Sequence, residues 1–458
     1  MKHLLTFLTC AAVLSGSLAA ADRPNVLFIA VDDLNHWVGH LKRNPQTITP
    51  NLDRLASWGV SFANAYCAAP ACNPSRAALM SGMRPSTTGI YHNPDDYRPH
   101  IAPEQTLNSH FRANGYRVTG AGKIYHGGGG RMSEWDDYGK PKAEKPGGVI
   151  ESGAVGALKW AILKGGGDVL NDYHTVSYCI DELNAQHEEP FFLACGIYRP
   201  HLPWNVPQKY FDLHPLESIE LPPHDPHDLD DVPPAGRGMA RPGGDHKSVL
   251  EAGAWKQLVR AYLASVSYAD AQLGRLLDAV EQSPQRDNMI IVLWGDHGWH
   301  LGEKSHWRKF ALWEEATRAP LIWVVPGVTP KGQIIRRSVD FMSIYPTLCD
   351  LAGLAQPDHV EGVSLRPLLV DPSAPWDRPA LTTHGFRNHA LRSEGWRYIR
   401  YADGSEELYD EVKDPLERKN VAGEAQFAQV KAALAKWFPA IDAPQVIRRR
   451  SVVAEDRQ

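Results

Sequence analysis

The sequence predicts an α/β fold with a large central mixed or parallel sheet that is flanked by helices. Three continuous apolar runs of strand length, 25–31, 288–294 and 319–325, are typical of strands buried on both faces. Between the first two runs, residues 256–280 repeat apolar side chains at helical spacing. This alternation favours an α/β sandwich, and 458 residues with 43% hydrophobic content can supply a large core.

A helix is predicted shortly after the first strand. Thr49 suits an N-cap, Pro50 suits a first helical turn, and Gly59 is expected to mark the end. Val60 is expected to contribute to its apolar face.

Two pairs of ionisable residues follow predicted strands. Asp32 and Asp33 come after the first strand, and Asp296 and His297 come after the second. Sites in open α/β sheets lie at the carboxyl ends of the strands, so these pairs, some 260 positions apart, are expected to meet. Such an oxygen-rich set favours a hard divalent cation such as Ca²⁺. The alternative is that one pair caps a helix and the other forms a turn.

Residues 199–245 are rich in Pro, His and Asp and show little periodicity. They indicate a long ordered loop over the site, or a partly mobile lid. His214, His224 and His227 are irregularly spaced, which favours solvated loop residues over metal ligands.

The N-terminal residues 1–21 have the pattern of a secretory signal: a short basic start, an apolar run and small residues before a cleavage site. A membrane anchor is the alternative, but the apolar run is short and diluted by Ser and Gly. We therefore expect an exported protein, periplasmic or secreted, with no stable membrane anchor.

The net charge of −5 and the absence of a basic stripe argue against a nucleic-acid partner. An anionic substrate would need a local cationic pocket. Export permits disulfides, but Cys67, Cys179, Cys195 and Cys349 allow three pairings, and isolated buried thiols are equally compatible.

The segment Cys72-Asn73-Pro74-Ser75-Arg76 resembles the modification motif of type I sulfatases. Pro74 and the following residues predict that Cys72 begins a helix. The resemblance implies that a formylglycine-generating maturation enzyme oxidises Cys72 to formylglycine, an aldehyde whose hydrate is the nucleophile. An unmodified structural thiol or a thiolate nucleophile is the alternative.

Further motifs resemble the same family in the same order. Lys123 and His126 lie in a Gly-Lys-x-x-His element, and His201 lies in Arg-Pro-His-Leu-Pro-Trp. Lys309 matches a lysine of the iduronate-2-sulfatase-like branch. His297 also resembles that branch, because many sulfatases have Asn there.

The resemblance implies an alkaline-phosphatase-like sandwich over residues 22–370 and a small C-terminal subdomain, 371–458, with a short antiparallel sheet and one helix. It implies that Ca²⁺ is bound by Asp32, Asp33, Asp296, His297 and the modified Cys72. Arg76 and Lys123 would hold the hydrate and the sulfate, and His126 would be the base. Either His201 or Lys309 would protonate the departing alkoxide.

The expected substrate is a sulfated carbohydrate, with 2-O-sulfated uronic acid as one possibility. Candidate pocket-wall residues and candidate partners of a uronate carboxylate are Trp204, Trp299, His300, Arg199, Lys304 and Arg308. Two alternatives remain open: a phosphoester or phosphonate ester hydrolase, and a non-catalytic Ca²⁺-dependent binding protein for sulfated glycans.

Overall fold

The computed structural model describes residues 23–446, so the predicted signal at 1–21 lies outside the described residues. The strands are β1 (Asn25–Val31), β2 (Val60–Tyr66), β3 (Arg117–Gly122), β4 (Asp137–Gly139), β5 (Val149–Val155), β6 (Leu158–Leu163), β7 (Phe191–Ile197), β8 (Trp204–Pro207), β9 (Met289–Gly295), β10 (His300–Leu301), β11 (Trp307–Arg308), β12 (Leu321–Val324), β13 (Gln333–Asp340), β14 (Ala380–Thr383), β15 (His389–Arg392), β16 (Trp396–Arg400) and β17 (Glu406–Asp410).

The helices are α1 (Pro50–Trp58), α2 (Cys72–Ser81), α3 (Pro85–Thr88), α4 (Leu107–Ala113), α5 (Asn171–Asn184), α6 (Gln208–Asp212), α7 (Pro234–Ala240), α8 (Asp245–Glu251), α9 (Trp255–Gln282), α10 (Glu314–Thr317), α11 (Ile344–Leu351), α12 (Arg366–Val370) and α13 (Ala428–Ala435).

The central sheet has eight strands in the order β13-β2-β12-β9-β1-β7-β3-β4. β1 is parallel to both of its neighbours, β7 and β9, whereas β12 is antiparallel to β9 and β2. The sheet is therefore mixed, as predicted. Leu27 and Ile29 of β1 join the cluster packed on α9, and Val26 and Phe28 join the cluster on the opposite face. Burial on both faces explains the unbroken apolar runs.

Helix α1 begins at Pro50, as predicted, but its N-terminus is held by a distant residue. The backbone N–H groups of Asn51 and Leu52 donate to Asp270 on α9. Thr49 instead accepts a hydrogen bond from the backbone of Gly39. The expectation that Val60 lies on the helix was wrong, because the chain turns at Gly59 and Val60 begins β2.

The segment 199–245 is more structured than predicted. It contains β8, α6 and α7, and β8 completes a three-stranded sheet in the order β5-β6-β8. The prediction of solvated histidines was wrong for His214, which is buried and hydrogen-bonded to Ser267. His224 packs on Trp255, and His227 is exposed beside Asp230.

The small antiparallel sheet near the C-terminus has the order β14-β15-β16-β17 and packs with α13, as predicted. A domain boundary after residue 370 stays a prediction. The described cysteines are all free and buried: Cys67, Cys72, Cys179, Cys195 and Cys349. Within 23–446, no helix combines the length and the apolar character that crossing a bilayer requires.

Candidate active site

The two acidic segments meet at the carboxyl edge of the central sheet. β1 and β9 are adjacent, and Val31 pairs with Gly295 at their ends. The next residues therefore face one another, and the backbone N–H of Asp33 donates to Asp296 Oδ1 at 2.9 Å. The structure brings together residues 263 positions apart, as the strand-end argument predicts.

Cys72 occupies the first position of α2, and Pro74 lies in the first turn, as predicted. Its side chain is fully buried. The sulfur lies 2.8 Å from Lys309 Nζ, 3.4 Å from His297 Nε2 and 3.7 Å from Lys123 Nζ. The Cys72 side chain is thus the point on which the cationic groups converge.

This convergence stabilises negative charge at position 72. Burial by itself would raise the pKa of the Cys72 thiol, but Lys123, Lys309 and His297 lower that pKa well below its usual value. His126 adds a side-chain hydrogen bond that acts in the same direction. An oxygen anion at this position would meet the same stabilising groups.

Arg76 links Asp32 to Asp296 through two ion pairs. Its Nη2 donates to Asp32 Oδ1 at 3.0 Å and its Nε donates to Asp296 Oδ2 at 2.9 Å. Its Nη1 donates to the carbonyls of Lys123 and Ile124. This wholly buried guanidinium fixes the carboxylates relative to the Lys123 segment.

Two lysines form ion pairs with Asp32 and Asp33. Lys123 Nζ donates to Asp32 Oδ2 at 2.5 Å, and Lys309 Nζ donates to Asp33 Oδ1 at 2.7 Å. Burial would lower the pKa of both ammonium groups, but the neighbouring carboxylates raise each one above its usual value. Both lysines therefore stay charged at neutral pH.

Two histidines are oriented by backbone carbonyls. His297 Nδ1 lies 2.9 Å from the Gly298 carbonyl, and His201 Nδ1 lies 2.6 Å from the Leu202 carbonyl. Because Nδ1 of each ring donates to a carbonyl, Nε2 of each ring is directed at the Asp33 carboxylate. The Nε2 atoms lie 3.3 Å from Asp33 Oδ1 and 3.8 Å from Asp33 Oδ2, respectively.

The donor set fits a cation. Ligand atoms of Asp33, Cys72, Asp296 and His297 all lie within 4.8 Å of one another, and a second such group contains Asp32 and His201. Burial raises the pKa of Asp296 to about 7, although His297 and Arg76 act in the opposite direction. Within 23–446, buried Asp33 Oδ2 has no hydrogen-bond partner. A divalent ion would satisfy both groups.

A cavity of about 720 Å³ opens above this cluster. Lys123, His126, His201 and Lys309 line it, whereas Cys72 lies beneath them. Trp299 and Arg308 are the proposed wall and carboxylate-binding residues that reach it. The others do not: Trp204 and His300 are buried elsewhere, Arg199 pairs with Glu144, and Lys304 pairs with Asp228.

Sequence reasoning missed Tyr198 and Asp172. Tyr198 follows β7 directly. Its ring packs at a tilt against the His201 ring, and Lys123 Nζ lies 5.2 Å from its centroid. Asp172 accepts the backbone N–H groups of Tyr198 and Arg199 and so holds the segment before His201. Tyr198 could have been found by the strand-end argument, but Asp172 carries no local signal.

A sulfatase family model matches residues 24–354, which include every predicted site residue. The chain belongs to the sulfatase family. A second model, N-sulphoglucosamine sulphohydrolase, C-terminal, matches residues 302–443. The predicted family is confirmed, and this sulfatase is accordingly a sulfuric ester hydrolase.

The similar proteins align with nearly the whole length of this sulfatase. A protein named sulfatase from Formosa agariphila is 42% identical, covering 92% of this chain and 87% of its own. Iduronate 2-sulfatase of Mus musculus is 29% identical, covering 89% and 92%. A phosphonate monoester hydrolase of Agrobacterium radiobacter superposes with a TM-score of 0.77 at 21% identity, covering 90% and 94%. The alkaline-phosphatase-like fold is thereby confirmed.

Proposed function

We propose that this sulfatase is exported and removes sulfate from a sulfated carbohydrate, using Ca²⁺ and a formylglycine that a maturation enzyme makes from Cys72. The observation that carries the proposal is the position of Cys72. Cys72 begins a helix and lies beside the buried residues Asp33 and Asp296. Its sulfur is contacted by Lys309, Lys123 and His297.

Asp32, Asp33, Asp296, His297 and the modified side chain at 72 would hold the cation. Asp33 Oδ2, which has no hydrogen-bond partner among the residues that the structure describes, and the mutual distances of the ligand atoms support this assignment. When bound, Ca²⁺ supplies charge stabilisation, and formylglycine hydrate supplies a nucleophilic hydroxyl. Arg76 keeps Asp32 and Asp296 oriented, and its predicted contact with the hydrate stays a prediction.

Lys123 and Lys309 bind the sulfuryl oxygens and stabilise the charge that develops on them. Both are buried, and both are already oriented by ion pairs with Asp32 and Asp33. Preorganisation of this kind avoids rearrangement during the reaction. The start of α2 adds a favourable dipole for an anion.

His126 and His201 transfer protons at different places: His126 at the side chain of residue 72, and His201 at the departing alkoxide. His126 hydrogen-bonds the side chain at 72 and is the base that removes a proton from it. His201 is 24% exposed at the cavity side, whereas Lys309 is 5% exposed and lies against Cys72. We therefore assign the acid for the departing alkoxide to His201 Nε2 and charge stabilisation to Lys309.

A carbohydrate suits the cavity because cationic and aromatic groups line it together. Lys140, Lys159 and Arg308 add to the catalytic lysines, and the partly buried Tyr198 and Phe310 contribute aromatic side chains. Arg308 suits the carboxylate of a uronic acid. The similarity to iduronate 2-sulfatase supports a 2-O-sulfated uronic acid as the first substrate to test.

The test is release of sulfate from 2-O-, 4-O- and 6-O-sulfated sugars and from an aryl sulfate. Turnover of at least one sulfated sugar supports the substrate class, and turnover of none contradicts it. The likeness to a phosphonate monoester hydrolase makes aryl phosphate and phosphonate esters the necessary comparison. Faster turnover of those esters would favour the rival hydrolase, and binding without any turnover would favour a glycan-binding protein.

A further inference from the structure

Tyr198 is linked to His201 in three ways. The backbone N–H of His201 donates to the Tyr198 carbonyl at 3.0 Å. The two rings pack against each other with their centroids 4.7 Å apart. In addition, the Tyr198 hydroxyl donates to the Leu202 carbonyl at 2.9 Å, and His201 Nδ1 lies 2.6 Å from the same oxygen. The two side chains therefore share one acceptor.

The shared Leu202 carbonyl sets the direction of the His201 ring. The His201 side chain is 24% exposed, so burial alone does not fix its orientation. A carbonyl oxygen can accept two hydrogen bonds, and a second donor holds the peptide group that carries it. The Tyr198 hydroxyl thus fixes the oxygen to which His201 Nδ1 donates. With Nδ1 held there, Nε2 stays directed at Asp33, at the edge of the cavity that His201 lines.

Tyr198 is itself held by its surroundings. It follows β7 directly, and Asp172 of α5 accepts its backbone N–H at 2.6 Å. Asp172 is buried and also accepts the backbone N–H of Arg199 at 3.1 Å. On the face of the Tyr198 ring, Lys123 Nζ lies 5.2 Å from the centroid. A residue fixed by a strand, a helix and a buried ammonium group is a rigid support for its neighbour.

The Tyr198 hydroxyl keeps its proton at neutral pH. Burial raises the pKa of Tyr198 to about 12, although Lys123 acts in the opposite direction. A protonated hydroxyl has one hydrogen to donate, and the Leu202 carbonyl receives it. Tyr198 lines the cavity, but this hydrogen is already engaged and is not available to a departing alkoxide.

We propose that Tyr198 is a positioning residue for His201: its hydroxyl holds the Leu202 carbonyl, and that carbonyl orients the His201 ring toward the departing alkoxide. This rests on the proposed function, in which His201 Nε2 protonates the alkoxide. The proposal requires no contact between the Tyr198 hydroxyl and the substrate. One neutral hydrogen bond is worth up to about tenfold in an equilibrium or a rate, so the expected effect is of that size.

Tyr198→Phe tests the proposal because it removes the hydroxyl and keeps the ring, which packs on His201 and lies beside Lys123. It should lower kcat/KM for a sugar sulfate by about tenfold and that for an aryl sulfate with an acidic phenol much less, because only the sugar alkoxide needs the acid. Tyr116→Phe is the matched control. The Tyr116 hydroxyl also donates to a backbone carbonyl, that of Pro24 at 3.1 Å, and Tyr116 does not line the cavity.

A double variant separates positioning from other roles. If the hydroxyl acts through His201, its removal costs nothing further once His201 is replaced. His201→Asn combined with Tyr198→Phe should therefore match His201→Asn alone on the sugar sulfate. A further loss of about tenfold in the double variant would overturn the proposal, because the hydroxyl would then act without His201. Equal losses on the two esters in Tyr198→Phe, or no loss, would also overturn it, while sulfate release by the wild type would leave the proposed function standing.

If the wild type turns over no sulfate ester, the proposed function fails, and crystal structures of the variants test the positioning. The His201 ring should keep Nδ1 on the Leu202 carbonyl in the wild type and in Tyr116→Phe. In Tyr198→Phe the ring should turn away from that carbonyl or occupy two orientations. An unchanged His201 ring in Tyr198→Phe would overturn the proposal.

Discussion

The Lys309 ammonium lies 2.8 Å from the Cys72 sulfur, although the two residues are 237 positions apart. The same ammonium donates to Asp33 Oδ1 at 2.7 Å. Lys309 thus connects Cys72 with the carboxylate of Asp33, and its charge is directed at the Cys72 sulfur.

Replacing Lys309 with Met should lower kcat for a sulfate ester by about 10²–10³-fold, because one buried, preorganised charge donor is lost from the transition state. Steady-state kinetics measure the effect. Lys247→Met is the control, since that lysine is exposed and forms a surface ion pair with Glu251 at 3.7 Å. A Lys309→Met enzyme with the control's kcat would contradict the assignment.

His201→Asn should slow sugar sulfates by about 10²–10⁴-fold but slow an aryl sulfate with an acidic phenol much less. A sugar alkoxide needs protonation as it departs, whereas a stabilised phenolate does not. Comparison of kcat/KM across leaving groups of increasing acidity measures this difference. An equal loss on every ester would rule out His201 as the acid.

Bound Ca²⁺ should stabilise the folded protein through the carboxylates of Asp32, Asp33 and Asp296. At a free concentration 100 times its Kd, a ligand that binds only the native state adds about 2.7 kcal/mol. We expect Ca²⁺ to raise Tm, a chelator to reverse the rise, and Asp33→Asn to remove most of it. Asp278→Asn, which changes an exposed partner of Arg54, should keep the wild-type response. Equal responses in both variants would contradict the metal site.

Acid should destabilise the protein through His214. Burial lowers the pKa of this histidine from 6.5 to about 4, and Arg260 adds to the effect. The unfolded chain then binds more protons between those values, so this stability is present above pH 6.5 and is lost as pH falls toward 4. At pH 5 the loss is on the order of 2 kcal/mol.

Urea unfolding at pH 7 and pH 5 tests this prediction. The wild type should lose more stability between the two values than His214→Gln, which can still hydrogen-bond to Ser267. Parallel losses in the two proteins would show that His214 contributes nothing.

The site was more predictable from sequence than its surroundings. Asp32 and Asp296 follow buried strands, and the geometry of a parallel pair dictates that they meet. The β5-β6-β8 sheet has no comparable signal, because β5 is largely exposed and the segment after Arg199 lacks periodicity. The capping of α1 by Asp270 joins positions 219 apart, and no local pattern encodes that pairing.

Mass spectrometry of the Cys72 peptide, taken from protein made in its native host, tests the central claim most directly. Conversion of the thiol to formylglycine predicts a peptide lighter than the cysteine form by about 18 Da. An unmodified thiol throughout that native protein would contradict the account, because the side chain beneath Lys123, His126 and Lys309 would then lack the nucleophile.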